Sequence, residues 1–124
     1  MFAVSEQSDR ADAGTVIGSL EYELGDQIAV VLGYSGDPGD LVIPSSVTYE
    51  GNEYRVVRIA NVAFFGCTSL TSVTIPASVK HIGDEVFCDC TSLTTITVDG
   101  GNTVYSSEGG VLFTKDGKDG TELL

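Results

Sequence analysis

The chain is short of basic charge: its 124 residues carry 6 Lys and Arg against 18 Asp and Glu, a formal net charge of −12. Nucleic acids and anionic membrane surfaces are bound by clustered Lys and Arg, so this balance argues against both partners. No apolar run approaches the roughly 20 residues that a membrane-spanning helix needs, so membrane insertion is not expected. A hydrophobic content of 42% excludes a disordered acidic tail. The length suits one domain with a single modest core.

The sequence also lacks the residues that catalysis and metal binding usually require. Its one histidine, His81, has no partner constellation. No Gly-x-Ser-x-Gly, P-loop or Gly-x-Gly-x-x-Gly motif occurs. The acidic segment 116–122 lacks the spacing of a calcium-binding loop, and a plain hairpin turn is favoured there. We therefore predict no catalytic residue, no metal site and no cofactor, with His81 on the solvated outside of the fold.

The most informative feature that is present is an internal repeat. Segment 64–75 (FFGCTSLTSVTI) matches segment 87–98 (FCDCTSLTTITV), and six apolar positions keep an offset of 23 residues. This period lies within the roughly 20–29 residues of leucine-rich repeats. One repeat cannot bury its apolar side alone, so stacked coils must form one continuous core. The predicted core is Phe64, Leu70, Val73, Ile75, Ile82, Phe87, Leu93, Ile96 and Val98.

Alternating apolar and polar residues predict a short strand in each repeat, which Pro76 ends in the best-defined copy. Residues 41–43, 73–75 and 96–98 should form parallel strands of one right-handed stack. The positions that face outward on these strands are Asp40, Val42, Ser72, Thr74, Thr95 and Thr97.

An earlier, imperfect copy (LVIPSSV, 41–47) is followed by 9 extra residues. Within them, Gly51-Asn52 is a hairpin signal of the Gly-first type. We predict a β-hairpin over 47–56 that pairs Tyr49 with Tyr54 and Val47 with Val56.

At this point the sequence resembles a known family. The pattern L-x-x-V-x-I-P-x-x-V-x-x-I-G-x-x-V-F-x-x-C-x-x-L over 70–93 resembles the BspA-type leucine-rich repeat of bacterial cell-surface and secreted proteins. Val86 departs from the small residue that the family usually has there. The resemblance implies an α/β leucine-rich-repeat solenoid, a right-handed, β-dominant horseshoe fragment with short parallel strands and an N-terminal β-hairpin cap.

The flanking segments complete the predicted domain organisation. Residues 1–14 read as a disordered lead-in without a secretory signal, and residues 15–124 as one leucine-rich-repeat domain. Segment 15–40 is its N-terminal cap, in which Leu20–Leu24 and 28–34 form two strands. Segment 41–98 holds the repeats, and 99–124 a variant repeat whose apolar end is typical of a truncated array.

Cys67 and Cys90 occupy the same repeat position, where a leucine-rich repeat takes Asn or Cys as a small inward group. With Cys88 they form an odd set that cannot pair completely. We predict buried free thiols at Cys67 and Cys90, and Cys88 in a variable slot. A Cys67–Cys90 bridge is the alternative, because adjacent coils lie about 5 Å apart.

The candidate ligand-binding surface is the predicted concave row of Val42, Ser72, Thr74, Thr95 and Thr97. Small hydroxyls can hydrogen-bond a protein or a sugar, although β-branched Thr also simply suits an exposed strand. The secondary candidate is the hairpin pair Tyr49 and Tyr54.

We therefore expect a non-catalytic interaction module. The family resemblance implies an extracellular or cell-surface location and adhesion to a protein or extracellular-matrix ligand. The alternatives are a structural spacer and a glycan-binding module of a larger surface protein.

Overall fold

The computed structural model describes residues 14–114, which contain eleven β-strands and no helix. The predicted lead-in, apart from Gly14, and the predicted turn at 116–122 lie outside these residues. In chain order the strands are β1 (Thr15–Ile17), β2 (Leu20–Leu24), β3 (Ile28–Tyr34), β4 (Asp40–Val42), β5 (Ser46–Tyr49), β6 (Asn52–Ile59), β7 (Ser72–Ile75), β8 (His81–Ile82), β9 (Thr95–Val98), β10 (Tyr105–Glu108) and β11 (Val111–Thr114).

The three predicted repeat strands form one parallel sheet in the order β9-β7-β4. Ile96 lies opposite Val73, and Val73 lies opposite Leu41, so each coil adds one strand in register. Strand β7 ends at Ile75, directly before Pro76, which has no N–H to offer the ladder. The prediction of a parallel stack of these segments is confirmed, except that β4 ends at Val42 and does not include residue 43.

A second sheet forms the opposite wall, in the order β1-β2-β3-β6-β5, with β8 also paired to β6. The predicted strand pair before the repeats is present, because β2 and β3 are antiparallel. Strand β3 then runs parallel to β6, and β6 runs parallel to β8. A register shift at Ala29/Val30 leaves Val57 unmatched, which allows Val56 and Ile59 both to be buried three positions apart.

The coil corners are turns, so the α/β part of the fold prediction is wrong. Val62 and Gly66 have φ angles of 54° and 72°, and Glu85 and Asp89, their repeat equivalents, have 55° and 61°. A left-handed residue every fourth position interrupts any right-handed helix before it can propagate. The described residues therefore form an all-β leucine-rich-repeat fold. The right-handed sense of the coil stays a prediction.

Successive coils are joined at these corners by a backbone ladder. The N–H groups of Val62, Phe64 and Gly66 donate to the carbonyls of Asp84, Val86 and Cys88 at 2.9, 3.1 and 2.8 Å. The rings of Phe64 and Phe87 stack inside, with centroids 5.8 Å apart. Tyr34 covers the other face of Phe64 at 6.2 Å. Val86 is buried without disturbing the repeat of corner φ angles.

The core prediction is confirmed for seven of nine positions, which are all buried: Phe64, Leu70, Val73, Ile75, Phe87, Ile96 and Val98. It is wrong for Ile82 and Leu93, which are only half-buried. Their equivalents one coil earlier, Ile59 and Leu70, are fully buried. Within the described residues a hairpin, and not another full coil, follows this last repeat, so its apolar positions are covered less completely.

The segment that leads into the hairpin β10–β11 is fastened to the last coils by one buried side chain, Asn102. The Asn102 amide nitrogen donates to the carbonyls of Pro76 and Val79 at 3.0 and 2.9 Å. Its oxygen accepts from the N–H groups of Val104 and Tyr105 at 2.8 and 2.9 Å. Asn102 is 1% exposed, so these bonds replace the water that its amide loses on folding.

Candidate functional site

The predicted row of outward side chains is assembled by the parallel sheet. Thr97 lies opposite Thr74, which lies opposite Val42, and Thr95 lies opposite Ser72. Val42 is 68% exposed, Thr95 and Thr97 are exposed, and Ser72 and Thr74 are half-buried. All five candidates therefore share one face, in two lines that cross the strands.

An acidic residue, Asp40, lies at one end of this row, although it was not among the five predicted ligand-binding residues. Asp40 lies opposite Ser72, and its Oδ1 accepts hydrogen bonds from the hydroxyls of Thr71 and Ser72, both at 2.9 Å. These bonds stabilise the carboxylate and lower the pKa of Asp40. The outward strand position of Asp40 could have identified it as part of the face. Thr71 precedes strand β7, so the strand pattern gave no reason to include it.

The hydroxyls of the row are not equally available to a ligand. The Ser72 hydrogen is already donated to Asp40, so Ser72 can only accept. The hydroxyls of Thr74 and Thr97 have no hydrogen-bond partner among residues 14–114. With Val42 beside them, these two threonines form the part of the face that can still donate, accept and make apolar contact.

The hairpin exists, but its predicted register is wrong. The turn residues are Glu50 and Gly51, whose φ angles of 51° and 82° match a type I′ turn. Val47 therefore lies opposite Tyr54, and Tyr49 opposite Asn52. The two tyrosines share a face as diagonal neighbours, with Tyr49 exposed and Tyr54 packed against the core. The turn lies one residue earlier than expected, and Gly51 occupies its second central position, where a type I′ turn favours glycine.

His81, the only histidine of the sequence, lies on the outside of the fold. His81 lies opposite Arg58 in a parallel pair, and both side chains are exposed, as their 23-residue offset predicted. Within residues 14–114 no three His, Cys, Asp or Glu side chains come close enough together to hold a metal ion. Nor does this region contain a helix long and apolar enough to cross a membrane.

The three cysteines are free thiols, so the alternative of a Cys67–Cys90 bridge is not realised. Cys67 is buried as predicted, whereas Cys90 is half-buried, and its Sγ donates to the Phe64 carbonyl at 3.0 Å. Burial raises the pKa of the Cys90 thiol. Partial burial, followed by the charges of Asp89 and Glu85, raises that of Cys88. Raised thiol pKa values fit structural cysteines better than reactive ones.

Comparison with known families decides what this stack of coils is. A family model described as a BspA type leucine rich repeat region (6 copies) matches residues 41–109, which is more than half of the chain. The chain belongs to the BspA-type leucine-rich repeat family. The match covers β7, β9 and all of β4 except Asp40, and it extends past Asn102 through β10.

Solved structures of similar leucine-rich repeat proteins come from several bacteria. A leucine-rich cell-surface protein from Faecalibacterium prausnitzii is 33% identical, with a TM-score of 0.64 over 73% of this chain and 24% of its own. A leucine-rich repeat protein from Bacteroides capillosus is 32% identical, with a TM-score of 0.64, over 71% of this chain and 67% of its own.

A third similar structure is the leucine-rich repeat protein of T. pallidum, which is 33% identical with a TM-score of 0.59 over 71% of this chain and 40% of its own. The chain thus spans about a quarter of the length of the F. prausnitzii protein and less than half of the T. pallidum protein. No curated protein sequence matches it.

Proposed function

We propose that this chain is a non-catalytic binding module of an extracellular or cell-surface protein, and that it binds a protein ligand on the β4-β7-β9 face. The observation that carries the proposal is the register of that face. Val42, Thr74 and Thr97 lie opposite one another on adjacent strands. The two hydroxyls have no partner within residues 14–114.

The chemistry of the face fits a protein ligand. Val42 supplies exposed apolar surface, and the threonines supply donors and acceptors next to it. An interface needs apolar contact at its centre and hydrogen bonds that are satisfied across it. Asp40 adds a negative charge at the edge, which favours a partner with a basic group in that position.

The size of the face suits a module that acts together with others. A standard interface covers about 800 Å² on each partner, and a three-stranded sheet with strands of three to four residues offers only part of that area. In a solenoid, further coils extend the same surface. We therefore propose that 15–124 is one domain contributing to a longer binding surface, with 15–40 as its cap. We further propose that the ligand is an extracellular-matrix protein, since one similar structure is that of a cell-surface protein.

The test is a pull-down against extracellular-matrix and mucosal proteins, followed by titration of the captured protein. The double variant Thr74→Arg, Thr97→Arg should weaken binding by about tenfold or more, because two bulky cations are placed at the centre of the face. The melting temperature should stay nearly unchanged, since the substituted side chains point away from the core.

A matched control is available in the same repeats. Thr68 and Thr91 are exposed turn residues with the same 23-residue offset, so Thr68→Arg, Thr91→Arg makes the same chemical change away from the face. This control should bind like the unchanged protein. Equal affinity of both double variants would exclude the strand face. Failure of every protein ligand to bind would leave the structural-spacer alternative as the better description.

A further inference from the structure

A concave groove lies beside the hairpin, away from the strand face. It has a volume of about 1030 Å³ and lies between the β5–β6 hairpin, the turn that joins β2 to β3, and the loop after β7. Its lining residues include Asp26, Gln27, Asn52, Glu53, Tyr54 and Arg55. A volume of this order suits a small ligand and exceeds what a single ordered water or ion requires.

The walls of the groove are held in place by hydrogen bonds. The Arg55 N–H donates to the Gln27 carbonyl at 3.0 Å, which ties the turn to the hairpin. The Ser45 carbonyl accepts from Val56 N–H at 2.9 Å and from the Ser78 hydroxyl at 3.3 Å. Because these walls are ordered before binding, less conformational entropy is lost when a ligand binds.

The lining excludes several ligand classes. Apart from Tyr54 and Ala77, no apolar side chain lines the groove, so the hydrophobic anchors of a peptide would find no pocket. Arg55 is the only cation among the lining residues, which also include two carboxylates, Asp26 and Glu53. Two carboxylates and one guanidinium leave the lining with a net charge of −1, which disfavours an anionic ligand and leaves a cationic ligand a single excess carboxylate to pair with.

What remains is a neutral ligand that both donates and accepts hydrogen bonds. Within residues 14–114, Arg55 has no ion-pair partner, so its guanidinium donors are available. Asn52 and Gln27 can donate and accept, and Asp26 can accept. The Ser46 hydroxyl donates to one oxygen of Glu53 at 3.1 Å, which orients the other oxygen as an acceptor. Tyr54 adds an aromatic surface beside these polar groups.

We propose that this groove binds a neutral oligosaccharide. A sugar ring combines hydroxyls, each a donor and an acceptor, with an apolar C–H face that packs on an aromatic ring. Donors, acceptors and one tyrosine along a polar groove match that combination. The site is separate from the proposed protein-binding face, so either can fail without affecting the other.

The experiment titrates the isotope-labelled full chain with maltotriose, cellotriose and chitotriose and follows backbone amide signals by NMR. At least one trisaccharide should bind with a Kd of about 1 mM or tighter, with shifts concentrated at Gln27, Asn52 and Arg55. Absence of binding by all three at about 10 mM would overturn the proposal. So would shifts confined to the β4-β7-β9 face.

Variants test which side chains are responsible. Tyr54→Leu keeps apolar packing against the core but removes the ring, and should weaken binding about tenfold. Asn52→Ala, at an exposed position, should also weaken binding without unfolding the chain. Tyr49→Leu is the matched control, because Tyr49 is on the same hairpin but outside the groove. Unchanged affinity in both Tyr54→Leu and Asn52→Ala would overturn the proposal.

A last comparison separates this site from a peptide site. The protein ligand captured in the pull-down should still bind the Tyr54→Leu variant, and an excess of the trisaccharide should not displace it. If that ligand is lost from Tyr54→Leu while no trisaccharide competes with it, the groove is a peptide site and the saccharide proposal is wrong.

Discussion

The hydroxyl of Tyr105 accepts a 2.8 Å hydrogen bond from the backbone N–H of Ile82, which lies 23 residues earlier in the chain. Tyr105 is 6% exposed, so its ring is part of the core while its oxygen caps a backbone donor of the preceding coil. The bond spans one repeat period and connects the first residue of β10 to β8. The Tyr105 hydroxyl thus accepts the hydrogen bond that a backbone carbonyl would accept if the repeat continued.

Replacement of Tyr105 by Phe should therefore destabilise the fold through one missing acceptor. The ring stays in place, but the Ile82 N–H loses its partner, which costs about 1–3 kcal/mol in the free energy of unfolding. Chemical denaturation measures the difference. Tyr49→Phe is the control, because the Tyr49 hydroxyl has no partner among the described residues, and it should change stability by about 0.5 kcal/mol or less. Equal effects would mean that the Tyr105 bond contributes little.

Leu70 and Leu93 occupy the same position in successive repeats but differ in burial. Leu70 is fully buried, whereas Leu93 is half-buried at the less covered end of the stack. Leu70→Ala should cost about 2–5 kcal/mol, because it leaves an enclosed cavity. Leu93→Ala should cost about 1–2 kcal/mol, since less apolar area is lost and solvent can fill the space. Similar melting curves for the two variants would contradict the difference in coverage.

Gly83 is required because the chain of the preceding coil passes against it. A Cβ at this position would lie 2.6 Å from the backbone nitrogen of Asn61 and 2.8 Å from its Cα. Gly83→Ala should therefore destabilise by about 1–3 kcal/mol, because backbone must move to relieve the overlap. Gly100→Ala is the control, since a Cβ there meets nothing within 4 Å. Thermal unfolding of both variants checks this, and an unaffected Gly83→Ala would show that the coils are spaced further apart.

The thiols should react in the order Cys88, Cys90, Cys67 with a charge-neutral alkylating reagent, as followed by mass spectrometry. Cys88 is partly accessible and Cys67 is 1% exposed. Cys90 is half-buried, and its thiol donates a hydrogen bond to the Phe64 carbonyl. All three should react after denaturation. A single reactive thiol in the unfolded chain would instead demonstrate a Cys67–Cys90 bridge.

The reaction of Cys88 should also depend on pH in a specific direction. The thiolate is the reactive form, and the raised pKa of Cys88 leaves less thiolate at a given pH than in a free cysteine. Its rate should keep rising at pH values where that of a free cysteine has levelled off. Glu85→Gln removes one negative charge and should shift the profile to lower pH. An unmoved profile would show that the Glu85 charge does not contribute to the raised pKa of Cys88.

The strand register of the repeats was predictable because it follows from spacing alone. Two copies of one pattern, 23 residues apart, place Val73 next to Ile96 and Arg58 next to His81 once the coils stack. Burial of seven apolar positions follows from the same alternation. The outward row of Val42, Thr74 and Thr97 is the other face of this pattern, and could be identified from the sequence for the same reason.

Tertiary structure decided what a repeating pattern does not contain. The corners became turns because the left-handed φ angles of Val62 and Glu85 are imposed by packing between coils, and neither residue favours them by itself. The hairpin turn lies at Glu50-Gly51 and not at Gly51-Asn52, so Gly51 takes the second positive-φ position of a type I′ turn. The bonds of Ser72 to Asp40, the anchoring of Asn102 and the groove beside Tyr54 each join segments far apart in sequence. Local periodicity specifies which face of a strand is buried, but only the folded chain determines which distant groups meet.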